Sequence, residues 1–302
     1  MPEDNETFSS EEFCGHAACP GCGEKILLRH ILETLGRNTV VVSPAGCAAV
    51  TDGIFPHTIS PVPFLHTPFG AVASCAAGVR AGFDMRKGDD VTVMIWAGDG
   101  ATFDIGMGAL SAIAERNEDL LYFCYDNEAY MNTGIQRSSA TPFGGWTTTT
   151  PKGRLKSEPK KDIDFILASH KIPYIATASP AFIDDLKAKV AKAKTVRGLR
   201  FIHLLSPCPP GWKSDPKDSI TLARLAVECN IFPLFEIENG EHIRLSYQSQ
   251  NIPVSEYLKM QGRFRYLTEK DMEIIQSRTD KNYEILNSLQ AGRQPLNVIM
   301  GE

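Results

Sequence analysis

The sequence predicts an α/β fold, an open, mostly parallel sheet with helices on both faces, followed by a C-terminal extension. Three observations carry this. Apolar runs of strand length alternate with helix-period segments from about residue 24 to 208. The strand candidates are continuously apolar rather than alternating, as strands buried on both faces are. One of them, VTVMIWA, runs straight into Gly98-Asp99-Gly100, a glycine turn at the strand end where open α/β sheets place their ligands.

Residues 1–14, opening MPEDNETFSSEEF, are polar and acidic and read as a mobile arm. EKILLRHILETLG sets Leu28, Ile31, Leu32 and Leu35 at helical spacing, with Gly36 as the stop. TVVVSPAGC follows as a buried strand ending at Pro44. FGAVASCAAGVRAGFDM predicts a helix rich in small residues, suited to close packing against another helix or chain. VTVMIWAGDG (strand and glycine turn), DIGMGALSAIAER (helix) and DLLYFCYDN (strand) form a βαβ unit. After a loop, YIATAS (strand), PAFIDDLKAKVAKAK (helix, with Ser179 as cap and Pro180 in its first turn) and LRFIHLLSPC (strand) repeat the pattern. Residues 15–215 therefore read as one domain. The style changes at 216–302: FPLFEIENGEHIRLSY predicts a hairpin turning at Glu238-Asn239-Gly240, then a charged helical tail, an extension that covers an edge or grips a partner.

Composition narrows the function classes. The chain has 302 residues, 43% hydrophobic and 22% charged, and 31 basic against 36 acidic side chains give a net charge of −5. With no basic block, nucleic acid and anionic membranes are not expected partners. No apolar run approaches the roughly 18 residues of a transmembrane helix, and the acidic start is unlike a signal peptide. A cytoplasmic protein is expected, its eight cysteines thiols or metal ligands rather than disulfides.

Glycines at a helix N-terminus let a backbone approach phosphate, and the helix attracts its charge. A carboxylate at that spot repels phosphate unless a divalent cation lies between, so Asp99 points to Mg²⁺, which takes oxygen ligands. Asn127, ending the next strand in YDNEAYMNTG, offers a second oxygen, and a backbone carbonyl near Ala129 a third. Alone, GDG is a common turn signal; its pairing with Asn127 across a βαβ unit is what points to function. The Cys19-Pro-Gly-Cys22 pair is open to three readings: half a zinc site, a redox dithiol, or part of an iron–sulfur site.

The run GDGATFDIGMGALSAIAERNEDLLYFCYDNEAYMNTGIQRSSATPFGGWTTTTPKG resembles the β subunit of pyruvate:ferredoxin oxidoreductases, within the 2-oxoacid:ferredoxin oxidoreductase family. The likeness covers roughly residues 13–265, and YMNTGIQRSSATP is far more specific than GDG. It implies thiamine diphosphate and Mg²⁺, the metal held by Asp99, Asn127 and the Ala129 carbonyl. Gly46, Cys47, Gly98, Gly100 and Ala101 would line the cofactor. Where relatives carry Thr, this chain carries Asn127; both supply a neutral oxygen. Asn132 of MNTG and His66 of FLHTPFG are the substrate-side candidates, and His66 reads equally as a loop-packing histidine.

The same resemblance implies a [4Fe–4S] cluster on Cys19, Cys22, Cys47 and Cys208. Cys75, Cys124 and Cys229 read as core thiols, while Cys14 is close enough to Cys19 to compete as a ligand. The implied activity is reversible, coenzyme A-dependent oxidative decarboxylation of pyruvate, with electrons passed to ferredoxin. The alternatives are another 2-oxoacid (oxalate, phenylglyoxylate or branched-chain) or a non-redox thiamine-dependent decarboxylase. Only one diphosphate-type domain is visible. An α partner is therefore expected to bring the pyrimidine-binding domain and its activating glutamate, with a ferredoxin-like subunit relaying electrons.

Overall fold

The computed structural model describes residues 8, 12–13, 15–52, 58, 60–86 and 90–292. Most of the expected N-terminal arm, Cys14 included, lies outside the described residues. Six parallel strands follow from the apolar runs: β1 (Thr39–Pro44), β2 (Phe64–Thr67), β3 (Thr92–Gly98), β4 (Leu121–Asp126), β5 (Tyr174–Ala178) and β6 (Arg200–Leu205). The hairpin β7 (Phe235–Glu238) and β8 (His242–Leu245) completes one sheet in the order β2-β1-β3-β4-β6-β5-β7-β8. β7 joins β5 antiparallel, so the extension adds its strands to the same sheet. Asn239 (φ 53°) and Gly240 (φ 66°) are both left-handed, the central pair of a turn closed by Glu241 N donating to the Glu238 carbonyl at 3.0 Å.

Helices cover both faces. On one, α1 (Gly23–Leu35) and α6 (Ile183–Thr195) bury Leu27, Ile31 and Val190 against Trp96 and Phe123. On the other, α3 (Val72–Met85), α4 (Met107–Glu115) and α5 (Ile163–Ser169) bury Val72, Leu110 and Leu167 against Ile95, Tyr122 and Phe201. The long helix α10 (Glu269–Gln290) seals the hairpin side through Leu286 and Leu289. Short helices α2 (Cys47–Thr51), α7 (Pro209–Trp212), α8 (Ser219–Glu228) and α9 (Val254–Lys259) fill the connections. Among the described residues no helix is long and apolar enough to cross a membrane.

Four local expectations change. β2 pairs with β1 at the sheet edge, with only Thr67 of its four residues buried, too little to create a periodic signal. α5 occupies part of the expected loop, capped by Asp162, whose carboxylate accepts from Phe165 N. α6 starts at Ile183, not at Pro180: Ser179 is fully buried and accepts from Ala181 N, closing a turn ahead of the helix rather than capping it. Between Gly98 and α4 the chain first makes a π-type turn, Gly100–Ile105. Such wide turns are common at functional sites.

Candidate active site

The carboxyl ends of β1, β3 and β4 face one pocket of about 160 Å³. Gly46, Cys47, Gly98, Asp99, Gly100, Ala101, Asn127, Ala129 and Asn132 all line it. The sheet order places β3 between β1 and β4, so PAGC, GDG and DNEAYMN converge although distant in sequence. His66 is not among the lining residues; it stands exposed on β2, beside Thr67, whose carbonyl accepts from Ala45 N at the pocket wall. Gly100 has a steric reason of its own: a Cβ there would lie 2.4 Å from Cε1 of Tyr130, a pocket residue whose hydroxyl donates to Asp104 at 2.9 Å.

Asp99 is only 1% exposed and accepts a hydrogen bond from Ser138 Oγ at 2.5 Å. Burial first, then the Asp126 charge, pushes its carboxyl well above the ordinary range. One terminal atom of the Asn127 carboxamide faces both Asp99 Oδ1 (3.1 Å) and the Ala129 carbonyl (3.0 Å). As nitrogen it donates to both; as oxygen it completes a cradle of three acceptors. Adjacent oxygens around octahedral Mg²⁺ stand about 2.8–3.0 Å apart, given bonds of about 2.0–2.1 Å. The residues thus fit Mg²⁺ in donor type and spacing, and a cation there would neutralise a buried charge that is otherwise costly. Trp212 Nε1 donates to the Asn127 carbonyl at 3.0 Å and fixes the corner, while Glu128 sits in a left-handed conformation (φ 70°).

Behind this corner lies a buried ionic network. His203 bridges Asp164 (2.8 Å) and Asp126 (2.9 Å), Lys160 joins Asp126 to Glu128, and Arg263 pairs with Glu128 at 2.6 Å. Burial opposes the charge on His203, but the Asp164 and Asp126 carboxylates raise its pKa to about 9.

The cysteines come from three segments. Gly21 (φ 73°) packs with its Cβ position 2.5 Å from Pro216 O, and that of Gly23 is 2.6 Å from Pro207 Cδ. The CPGC loop therefore packs against Pro207, which precedes Cys208, and against Pro216 beyond α7. Burial, then Glu24, pushes the Cys22 thiol up to about 12; burial raises Cys47 further and Cys208 to about 11. Cys208 adds to the upward push on Cys22 and Cys47, and Cys19 to that on Cys208. Among the described residues no three His, Cys, Asp or Glu side chains close on a single metal ion. A polynuclear cluster spreads its thiolates more widely, and four thiols from three segments suit it chemically. Cys47 also lines the pocket, and Met131, another lining residue, fills the space beside Gly211, next to Cys208. Cys124 and Cys229 are buried, as core thiols are, and Cys75 packs against the core partly buried.

Sequence reasoning did not find Ser138, Tyr125, Tyr130, Met131 or the His203 network. Tyr130, Met131 and Ser138 carried a signal only by lying inside the YMNTGIQRSSATP run, and Tyr125 and the His203 network carried none.

The comparisons give the class first. Residues 45–204 match the family model of the thiamine pyrophosphate enzyme C-terminal TPP-binding domain. Subunit VorB of ketoisovalerate oxidoreductase from Pyrococcus horikoshii is 44% identical over 293 residues, covering 93% of this chain and 94% of the relative. Subunit PorB of pyruvate synthase from Methanocaldococcus jannaschii is 45% identical over 292 residues, covering 92% and 98%. A solved 2-oxoglutarate:ferredoxin oxidoreductase from Magnetococcus marinus shares the fold, with a TM-score of 0.58 at 21% identity over 74% of this chain and 82% of that one. The chain belongs to the β-subunit family of 2-oxoacid:ferredoxin oxidoreductases, and it is a subunit of an oxidoreductase.

Proposed function

We propose that this subunit binds thiamine diphosphate, Mg²⁺ and a [4Fe–4S] cluster and serves the coenzyme A-dependent oxidative decarboxylation of pyruvate, reversibly, with electrons leaving to ferredoxin. The observation that carries the reading is the acceptor cradle of Asp99, Asn127 and the Ala129 carbonyl at the pocket floor. Bound thiamine diphosphate supplies the means to stabilise negative charge at the substrate's carbonyl carbon. This chain's own residues do the rest. Asp99, Asn127 and Ala129 hold the metal, Gly98, Gly100 and Ala101 admit the diphosphate to the backbone, and Gly46 and Cys47 form the wall toward the cysteines. Asn132, exposed at the pocket rim, orients the 2-oxoacid. His66 meets substrate where a partner completes the rim over β2.

The pocket's volume of about 160 Å³ is below the roughly 300 Å³ at which small-molecule sites begin. That supports a site completed by an α subunit carrying the pyrimidine-binding domain and its activating glutamate. Cys19, Cys22, Cys47 and Cys208 would hold the cluster, with Cys47 itself at the pocket wall. Residues 15–215 act as the cofactor-binding unit and 216–302 as the extension. Membership of an oxidoreductase family sets aside the non-redox decarboxylase. A second reading, a branched-chain 2-oxoacid as substrate, is favoured by the VorB relative, whose identity matches PorB's within one per cent.

Anaerobic purification with the partner subunits, then iron, labile sulfide and thiamine quantitation and a 2-oxoacid panel with viologen as acceptor, tests all of this. Pyruvate is expected to give the highest kcat/KM; a colourless protein without iron would overturn the cluster.

A further inference from the structure

Three cations outside the pocket rest on rings instead of carboxylates. Lys213 Nζ lies 3.1 Å from the centroid of the Trp146 ring, Arg265 stacks on Tyr266 at 4.7 Å, and Lys152 approaches the same Tyr266 ring at 5.7 Å. Arg265 also donates to the Tyr266 hydroxyl at 2.6 Å. Lys152 and Arg265 are exposed, with Lys213, Trp146 and Tyr266 half-buried beneath and beside them. Among the described residues none of the three makes a salt bridge, whereas the nearby Lys217 pairs with Asp215 and Arg263 with Glu128. Burial and the Arg265 charge hold the Lys213 ammonium below its ordinary pKa, the mark of cations crowded together.

Position gives the patch its meaning. Lys213 ends the four-residue helix α7 that begins directly after Cys208, a rise of about 6 Å. It does so in a left-handed conformation (φ 54°), held by the Gly262 N–H bond to its carbonyl at 3.0 Å. Gly262 has no room for a side chain, because a Cβ there would lie 2.9 Å from the Lys213 Cβ. A bulky residue kept in that backbone region costs free energy. Cys19 is exposed in the loop whose Gly21 packs with its Cβ position 2.5 Å from Pro216 O, three residues after Lys213. The chain as a whole carries −5, so an acidic protein is repelled by most of its surface and attracted here.

We infer that the Lys152, Lys213 and Arg265 patch, floored by Trp146 and Tyr266, is the docking surface for an acidic electron-carrier protein of the ferredoxin type that collects electrons beside Cys208. The inference rests on the redox reading above. A protein fits better than a small anion because none of these five side chains lines the thiamine pocket or the cavity under α5 and α10. The cations stand on an open surface with aromatic rings to bury, as interface anchors do.

The test uses the assembled enzyme carrying Lys152→Gln, Lys213→Gln and Arg265→Gln, singly and together. Its electron acceptors are a purified acidic ferredoxin and, separately, methyl viologen. The triple variant is expected to raise the ferredoxin KM about tenfold or more and to flatten the fall of kcat/KM with ionic strength. Viologen reduction, iron content and the KM for coenzyme A are expected to stay unchanged. An unchanged ferredoxin KM and salt slope overturns the inference. So does a raised coenzyme A KM, which assigns the patch to a small anion, or loss of a partner subunit on gel filtration, which makes it a subunit seam. Failure of the wild-type enzyme to reduce viologen with any 2-oxoacid would instead count against the proposed function.

Discussion

Replacing Asp99 with Asn tests the acceptor cradle, because the empty and loaded states respond with opposite signs. In the empty state Asp99 is buried with Ser138 Oγ as its hydrogen-bond donor, and Asp126 and Glu128 repel its charge. An acid whose folded pKa stands above its unfolded value weakens the fold at every pH above the unfolded value, and the deficit shrinks as pH falls. Burying the Asp99 carboxyl is therefore a burden at neutral pH that a neutral amide removes. The new carboxamide still accepts from Ser138 and donates to the inward Asn127 oxygen. The cofactor-free variant is thus expected to be more stable by roughly 1–3 kcal/mol, the scale of an unmet buried polar group. The loaded state behaves oppositely. Thiamine diphosphate and Mg²⁺ at about 100 times Kd stabilise the wild type by about 2.7 kcal/mol, a Tm rise of about 4 °C for a chain of this size. The variant loses that rise. The assay is thermal unfolding of the chelator-stripped enzyme with and without both ligands. A variant that keeps the full Mg²⁺-dependent shift, or that melts below the wild type when empty, refutes the cradle.

Further outcomes are expected. Cys208→Ser should lower iron and labile sulfide and weaken the visible absorbance, while Cys229→Ser, a buried thiol facing the Ala226 carbonyl, should leave all three at wild-type level. Gly100→Ala drives a methyl into Tyr130, costing about 1–3 kcal/mol in urea unfolding and weakening thiamine diphosphate binding severalfold; adding Tyr130→Leu should recover most of the stability. His203 is held charged, with its pKa raised from 6.5 to about 9. Its contribution, on the order of 3 kcal/mol, is present in full below the ordinary histidine value and is lost as pH rises through about 9. Urea midpoints measured at about pH 6.5 and about pH 9.5 should therefore differ in the wild type and converge in His203→Gln.

The expected site was legible where chemistry lies close along the chain. The glycines flanking Asp99 and the Asn at the end of β4 are local patterns, the family resemblance added Gly46, Cys47, Ala101 and Asn132, and one pocket gathers all nine residues. The hairpin turn at Asn239-Gly240 was legible for the same reason, because left-handed backbone selects its residues. β2 was not, since four mostly exposed edge residues leave no periodic trace. Nor was the misplaced cap at Ser179, whose hydroxyl binds within a turn set by its burial under Ala223.

The sequence by itself determined the alternation of strands and helices, the strand ends that face the pocket, and the residue types placed there. These rest on hydrophobic period and backbone conformation, which act over a few residues. Only the tertiary structure decided neighbours. Ser138 meets Asp99, Tyr130 fills the space Gly100 leaves, Pro207 and Pro216 pack against the CPGC loop, and Lys213 settles on Trp146. Each contact closes a long loop and depends on strand order, since β3 must lie between β1 and β4 before Cys47, Asp99 and Asn127 can share one wall. No spacing rule encodes such proximity, because it comes from packing the whole sheet at once.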